Sequence, residues 1–418
     1  MNIYMLIIVF FILAVYIVET IADLLNLKNV SNEIPKEFEG YYDKEKYAKS
    51  QEYLIARTKI SLNMATFFTV IQIMFITSGG FNYVDKFARS FGLGEIMTGL
   101  IFAGILLAAL ELLKIPFSVY STFVIEEKFG FNRTNIKTFI SDLLKSWLVV
   151  AIIGAAVFSA VIWFFMYFGK FAWVYAFAAV AAFQLIITFV YPVVIMPLFN
   201  KFTPLEDGEL KTSVEDYAKR ENFKMKGLFK MDGSKRSTKS NAFFAGFGKF
   251  RRIVLFDTLI QKHTVEELTS VLAHEMGHFK LGHIIRGMIF SFVSLGITFF
   301  ILSIFINAPW LYEAFLMQNK SVYAGIIFFG FLYMPISFLI GIVSSYYSRK
   351  HEYAADAYAV TTYKKPQAMA DALKKLSVDN LSNLHPHPFK VFLEYSHPPV
   401  LERINAISKI NVTEKING

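Results

Sequence analysis

The chain has 418 residues, of which 55% are apolar, 17% aromatic and only 18% charged. With a mean hydropathy of +0.45, it has too little charge to clothe a soluble body of this size, and a polytopic membrane protein is the expectation. The formal charge of +9 comes without a Lys/Arg run interleaved with aromatics, which excludes nucleic acid as the expected partner. There is no cysteine, so disulfides, thiolate metal sites and cysteine nucleophiles are excluded. Any metal must be held by His and carboxylates.

In chain order, seven apolar stretches are each long enough for a hydrocarbon core of roughly 30 Å. They lie near 3–25, 62–84, 95–122, 139–168, 171–197, 286–308 and 322–346. The first lacks the cationic start and small-residue cleavage site of a signal peptide and reads as a retained helix. The short break YFGKFAW makes spans four and five a helical hairpin. Lys28, Lys36, Lys44, Lys46, Lys49, Arg57 and Lys59 follow span one, and Lys128, Arg133 and Lys137 follow span three. The alternate loops hold only Lys86 and Arg89, then Lys170, then Lys320. By the positive-inside rule the amino terminus lies outside and both large polar regions lie in the cytoplasm. Five charges sit in or near spans: Glu19, Glu111, Lys114, Asp142 and Lys145. Glu111 and Lys114, three residues apart, either pair with one another or line a wet cavity.

The polar stretch 199–285 carries HTVEELTSVLAHEMGH. Thr264 and Glu267 form a capping box that starts a helix near Val265. On that helix His274 and His278 face the same way, one turn apart, and both imidazoles reach one Zn²⁺ at about 2.1 Å. Glu275 stands next to the first ligand, placed as base toward a water. A third ligand is needed. A histidine six places after His278 is missing, because Ile284 stands there. His283 is off by one and reads as a helix-end residue or one standing behind a ligand. RKHEYAADAYAV, just after the last span, offers Glu352 and Asp356 one turn apart. Such a pair ordinarily marks a solvated acidic face. Here two apolar spans return this helix to the side of the first motif, so Glu352 is expected as third ligand and Asp356 as acceptor for a ligand histidine. His351 points to another face, and His385 and His387 lie in a loop that prolines keep from being helical. KSNAFFAGF and RRIVLFDTLI read as β segments joined by a Gly-containing turn, an edge strand able to take up a peptide.

Together these motifs resemble the type I CAAX prenyl endopeptidases, integral membrane zinc proteases of the a-factor-converting type. EEKFGFNR (126–133), YPVVIMPLFNKFTPLEDGELK (191–211), SNAFFAG (240–246), HEMGHFKLGH (274–283), EYAAD (352–356) and SHPPVLERI (396–404) stand in family order from about residue 110 onward. The resemblance implies a mainly α fold: seven transmembrane helices enclosing a water-filled intramembrane chamber, with a small α+β zinc metalloprotease domain on the cytoplasmic side. It implies one Zn²⁺ per chain on His274, His278 and Glu352, with Glu275 as base. It places Asn241 on a strand beside the cleft, and His397 and Arg403 at the bound peptide and the developing oxyanion.

The expected organisation is a five-helix membrane region (1–198), a cytoplasmic α+β segment (199–285), helices six and seven (286–348) and a helical tail (349–418). The implied reaction is hydrolysis of peptide bonds near the C-terminus of prenylated CAAX-type proteins. A quality-control protease indifferent to prenylation, or a non-proteolytic chamber with a relic metal site, are the alternatives. The partners are a peptide or protein substrate and the bilayer. The membrane is the endoplasmic reticulum or inner nuclear membrane in a eukaryote, and the cytoplasmic membrane in a bacterium.

Overall fold

The computed structural model describes residues 2–245 and 252–410. Helix α1 (Ile3–Lys28) starts where the Asn2 side chain accepts the Met5 N–H, and α2 (Lys44–Thr77) where Asp43 accepts from Lys46. Then come α3 (Gly80–Arg89), α4 (Glu95–Tyr120), α5 (Ile136–Tyr167), α6 (Ala172–Val190) and α7 (Met196–Phe199). Widened helical turns, Ser121–Glu126 and Tyr191–Ile195, follow α4 and α6. The second half runs β1 (Phe202–Pro204), α8 (Glu209–Arg220), β2 (Gly227–Met231), β3 (Ala242–Ala245), β4 (Arg252–Phe256), α9 (Asp257–Lys262) and α10 (Val265–Lys280). It ends with α11 (His283–Phe305), α12 (Pro309–Glu313), α13 (Val322–Tyr363), α14 (Pro366–Asp379), α15 (Pro388–Glu394) and α16 (Val400–Ser408).

Seven helices are long and apolar enough to cross a membrane, as the sequence predicts. Three boundaries differ most. The second span was expected over 62–84, but α2 already begins at Lys44 and stops at Thr77, because Gly79 takes φ 73° and residues from Gly80 onward form a separate helix. The last span does not end near 346 but continues through Pro335 as one helix to Tyr363, so Glu352 and Asp356 ride on the same helix as the membrane wall. In the expected hairpin, α5 and α6 pack on one another across residues 168–171.

Side by side, α4, α5, α6, α11, α13, α1 and α2 follow one another as packed neighbours, and α3 and the turn 121–126 bridge α2 back to α4. The result is a ring. Between the two bridges a cleft of about 810 Å³ remains, lined among others by Ile55, Lys59, Asn63, Phe117 and Tyr120. Only 6–22% of each span's most apolar stretch is buried inside the protein. Helices in a ring touch neighbours on two flanks, so their outer and inner faces stay uncovered. One end of the ring is closed by an apolar plug of Phe81, Phe102, Phe315, Tyr323 and Phe328. Inside it the buried Asp85 carboxylate accepts the Tyr323 hydroxyl and the Arg89 Nε–H. Of the charges near spans, Lys114 donates to Glu111 at 2.8 Å, Lys145 donates to the Leu198 carbonyl, and Asp142 pairs with Arg236.

At the other end sits a four-stranded sheet in the order β1-β2-β4-β3, with β2/β4 parallel and the outer pairs antiparallel. The turn expected between β3 and β4 falls on 246–251, outside the described residues, as do the last tail residues 411–418. Leu228, Ile253 and Leu255 of the sheet pack with Val214 and Tyr217 of α8 and Leu268, Leu272 and Met276 of α10. That core fixes which face of α10 is left for α13.

Candidate metal centre

The capping box is present: Glu267 N–H donates to Thr264 Oγ1 at 3.3 Å and Thr264 N–H to Glu267 Oε2 at 3.0 Å. From that start α10 runs without interruption past His278 and ends where Gly282 takes φ 71°. At Gly277 the helix lies close against α13. A Cβ there would lie 3.1–3.2 Å from Tyr358 and from the Ala355 carbonyl oxygen. Glycine in HEMGH and alanine in EYAAD therefore let the two helices meet.

Where they meet, one donor atom each of His274, His278 and Glu352 lies within 4.8 Å of the others. The two Nε2 atoms are 3.1 Å apart, and Glu352 lies 3.5 Å from His274 Nε2 and 3.2 Å from His278 Nε2. The outer ring nitrogens have partners of their own. His274 Nδ1 is 2.8 Å from Asp356 Oδ1, so the neutral ring carries its proton there and Nε2 keeps its lone pair. His278 Nδ1 is 3.0 Å from His283 Nδ1. Glu352 Oε2 is buried with no hydrogen bond. Three acceptors thus converge with nothing between them to donate, a pocket built for positive charge. Burial alone would lower the His274 pKa, yet Asp356 and Glu352 raise it to about 9, so positive charge, whether a proton or a metal ion, is favoured at this spot. Two nitrogens and a carboxylate oxygen suit a divalent ion, and the residues fit one.

Around this core the other residues take their places. Glu275 is half-buried next to His274, and burial pushes its carboxyl pKa up. The His397 side chain is 64% exposed, with Nε2 3.4 Å from Glu352 Oε1. Arg403 was expected at the peptide, but its side chain is 10% exposed and lies against Glu352 and Asp356. Its Nε–H and Nη2–H donate to the two Asp356 oxygens at 2.8 and 2.6 Å, and Nη1 lies 3.3 Å from Glu352 Oε2. Burial and a carboxylate on either side hold the guanidinium there. Asn241 is exposed one residue before β3, its carbonyl accepting the Phe256 N–H. β3 is the sheet's edge strand among the described residues and packs on α10.

Sequence reasoning missed two contacts. His283, expected as a helix-end residue or one standing behind a metal ligand, is the first residue of α11 with Nδ1 3.0 Å from His278 Nδ1, and it also stacks on His351 with ring centroids 4.0 Å apart. His387, expected in a loop, caps α15 by accepting the Phe389 N–H, with Pro388 at the first helical position.

Residues 23–201 match the CAAX prenyl protease N-terminal family of five membrane helices, and 204–411 match peptidase family M48. The CAAX prenyl protease 1 homolog of Oryza sativa subsp. japonica is 36% identical over 417 residues, 95% of each chain. The chain belongs to the CAAX prenyl protease 1 family. CAAX prenyl protease 1 of Saccharomyces cerevisiae is 34% identical over 412 residues, covering 91% of this chain and 90% of that one. The crystal structure of S. mikatae Ste24p superposes with a TM-score of 0.91 at 33% identity, over 97% of this chain and 99% of the other. As a member of the CAAX prenyl protease family and of peptidase family M48, the chain is an integral, multi-pass membrane metallopeptidase acting on peptide or protein substrates.

Proposed function

We propose that this chain is a zinc endopeptidase of the HExxH-plus-Glu type that cleaves prenylated CAAX-type proteins near their C-terminus, from the cytoplasmic side of its membrane. Convergence of His274, His278 and Glu352 carries the reading, because three acceptors in one pocket are useless without a cation. Zn²⁺ in that pocket would supply an electrophile for the scissile carbonyl and make the attacking water more acidic.

The chain's own groups do the rest. Glu275 takes the proton of the attacking water and passes it to the departing amine; its raised pKa brings it nearer to that task. His397 reaches over the cleft to donate to the carbonyl oxygen as charge develops, a contribution typically worth about 3 kcal/mol. Asp356 holds the His274 tautomer, and Arg403 locks Asp356 and Glu352 in place. The β3 edge and Asn241 take up the substrate backbone by strand addition. The uncovered inner faces of the ring accord with a water-filled chamber in which the prenyl chain and the peptide share one compartment. The Lys-rich loops all sit at the metal end, which favours a cytoplasmic site in the endoplasmic reticulum or inner nuclear membrane of a eukaryote, or in the cytoplasmic membrane of a bacterium.

The division at 198/199 between membrane and catalytic halves is supported by the sheet's start at Phe202, and the single rod α13 belongs to both halves. Purified protein should contain one zinc per chain and cleave a farnesylated CAAX peptide, while the same peptide without the lipid is cleaved far more slowly. Equal rates on both would point to the quality-control activity, and no difference from Glu275→Gln would point to a non-proteolytic chamber.

A further inference from the structure

The block EEKFGFNR, residues 126–133, lies between α4 and α5 and takes no part in the chemistry above. It grips the stretch that leads into β3. Thr238 donates from its N–H to the Phe131 carbonyl at 3.1 Å and from its hydroxyl to the Gly130 carbonyl at 3.0 Å. Arg133 N–H donates to the Arg236 carbonyl at 3.0 Å, and Asn132 and Ser237 form an antiparallel bridge.

At the centre of this contact Lys239 Nζ sits 2.9 Å from Glu126 Oε2 and donates to the Tyr53 hydroxyl at 2.6 Å. Tyr53 O–H donates in turn to Glu126 Oε1 at 2.7 Å. The ammonium also lies 4.5 Å from the Phe131 ring centroid, and the Tyr53 ring packs edge-on between Phe129 and Phe131. Glu126 and Tyr53 belong to the membrane half, Lys239 to the sheet's lead-in. From the other side Asn380 exchanges two hydrogen bonds with the Ser240 backbone, and Thr258 Oγ1 donates to the Lys239 carbonyl. Lys239 is two residues from Asn241, so at most about 7 Å of chain separates them.

We propose that the Glu126–Lys239 pair is a positioning device. It anchors the lead-in of the edge strand to the membrane ring, so that Asn241 and β3 are held at the peptide cleft. A partly exposed ion pair adds little to global stability. Its partners come from opposite halves of the molecule, so its main effect is on where the strand sits. This inference rests on β3 and Asn241 being the peptide surface.

The test uses the full chain in lipid vesicles, a farnesylated CAAX peptide, and the variants Glu126→Gln, Lys239→Met, their double, and Lys239→Arg. Either single substitution should raise KM about tenfold, with kcat within about twofold and zinc content unchanged. The double should be no worse than the singles, and Lys239→Arg should stay near wild type. Amide hydrogen exchange over 238–244 should rise in Glu126→Gln. Unchanged KM, additive effects in the double, or a fall in kcat accompanied by zinc loss would each overturn the positioning role. Unchanged exchange would overturn the anchor itself. Wild-type protein that cleaves no peptide would sink the peptidase reading, while the exchange measurement still decides the anchor.

Discussion

Helices α2 and α10 obey different rules. α2 buries six of its 34 residues, whereas α10 buries ten of its 16. In the ring most side chains face lipid or the interior space, where no hydrophobic gain rewards tight packing, and position is set by flank contacts and end plugs. Around α10 the surroundings are close-packed protein, so each atom is placed by neighbours that cannot move independently. The proposed metal ligands His274 and His278 stand on that tight part. The ring supplies the wall, and α13 joins the two, since it is membrane wall at one end and ligand helix at the other.

The comparison can be broken at several strengths. The largest effect belongs to Glu275→Gln on α10. It should lower kcat by roughly 10³-fold while zinc stays bound, measured by peptide cleavage beside elemental analysis; loss of the metal would mean that Glu275 serves the pocket instead of the proton. Next comes His283→Ala, which removes the group behind His278 and should weaken zinc binding by about 10–100-fold in a chelator competition. A parallel change in the Co²⁺ absorption spectrum would locate the effect at the ligand; an unaltered affinity would show that the 3.0 Å contact does not orient His278.

Gly277→Val tests the packing directly. Its Cβ would meet the Ala355 carbonyl and Tyr358 at 3.1–3.2 Å, backbone and ring that have little room to yield, so overpacking should cost about 1–3 kcal/mol and lower zinc occupancy. Thermal unfolding with zinc analysis measures both. The smallest effect is expected for Gly154→Ala in α5, where an added Cβ meets nothing within 4 Å. Its unfolding temperature and activity should match wild type; a marked loss would mean that the ring is packed more tightly than its sparse burial indicates.

The amino-acid sequence determined a good deal by itself. Apolar length gave seven spans because backbone groups in hydrocarbon must be satisfied within each helix, so the signal is local. The capping box and the four-residue spacing of His274 and His278 gave α10 and its metal face for the same reason: a helix fixes direction over one turn. Boundaries set by backbone conformation were less legible. The break at Gly79 and the absence of any break between the last span and Glu352 leave no mark in hydropathy.

Tertiary structure alone decided what residues far apart in the chain do to one another. Arg403 pairs with Asp356, 47 residues away, and so lies against it and Glu352. Lys239 finds Glu126 across the two halves, and Glu352 meets two histidines some 75 residues before it only because Gly277 and Ala355 leave room between two rods. Such meetings depend on the packing of whole elements, whose free energy is spread over many small contacts and cannot be assigned to any short stretch of sequence.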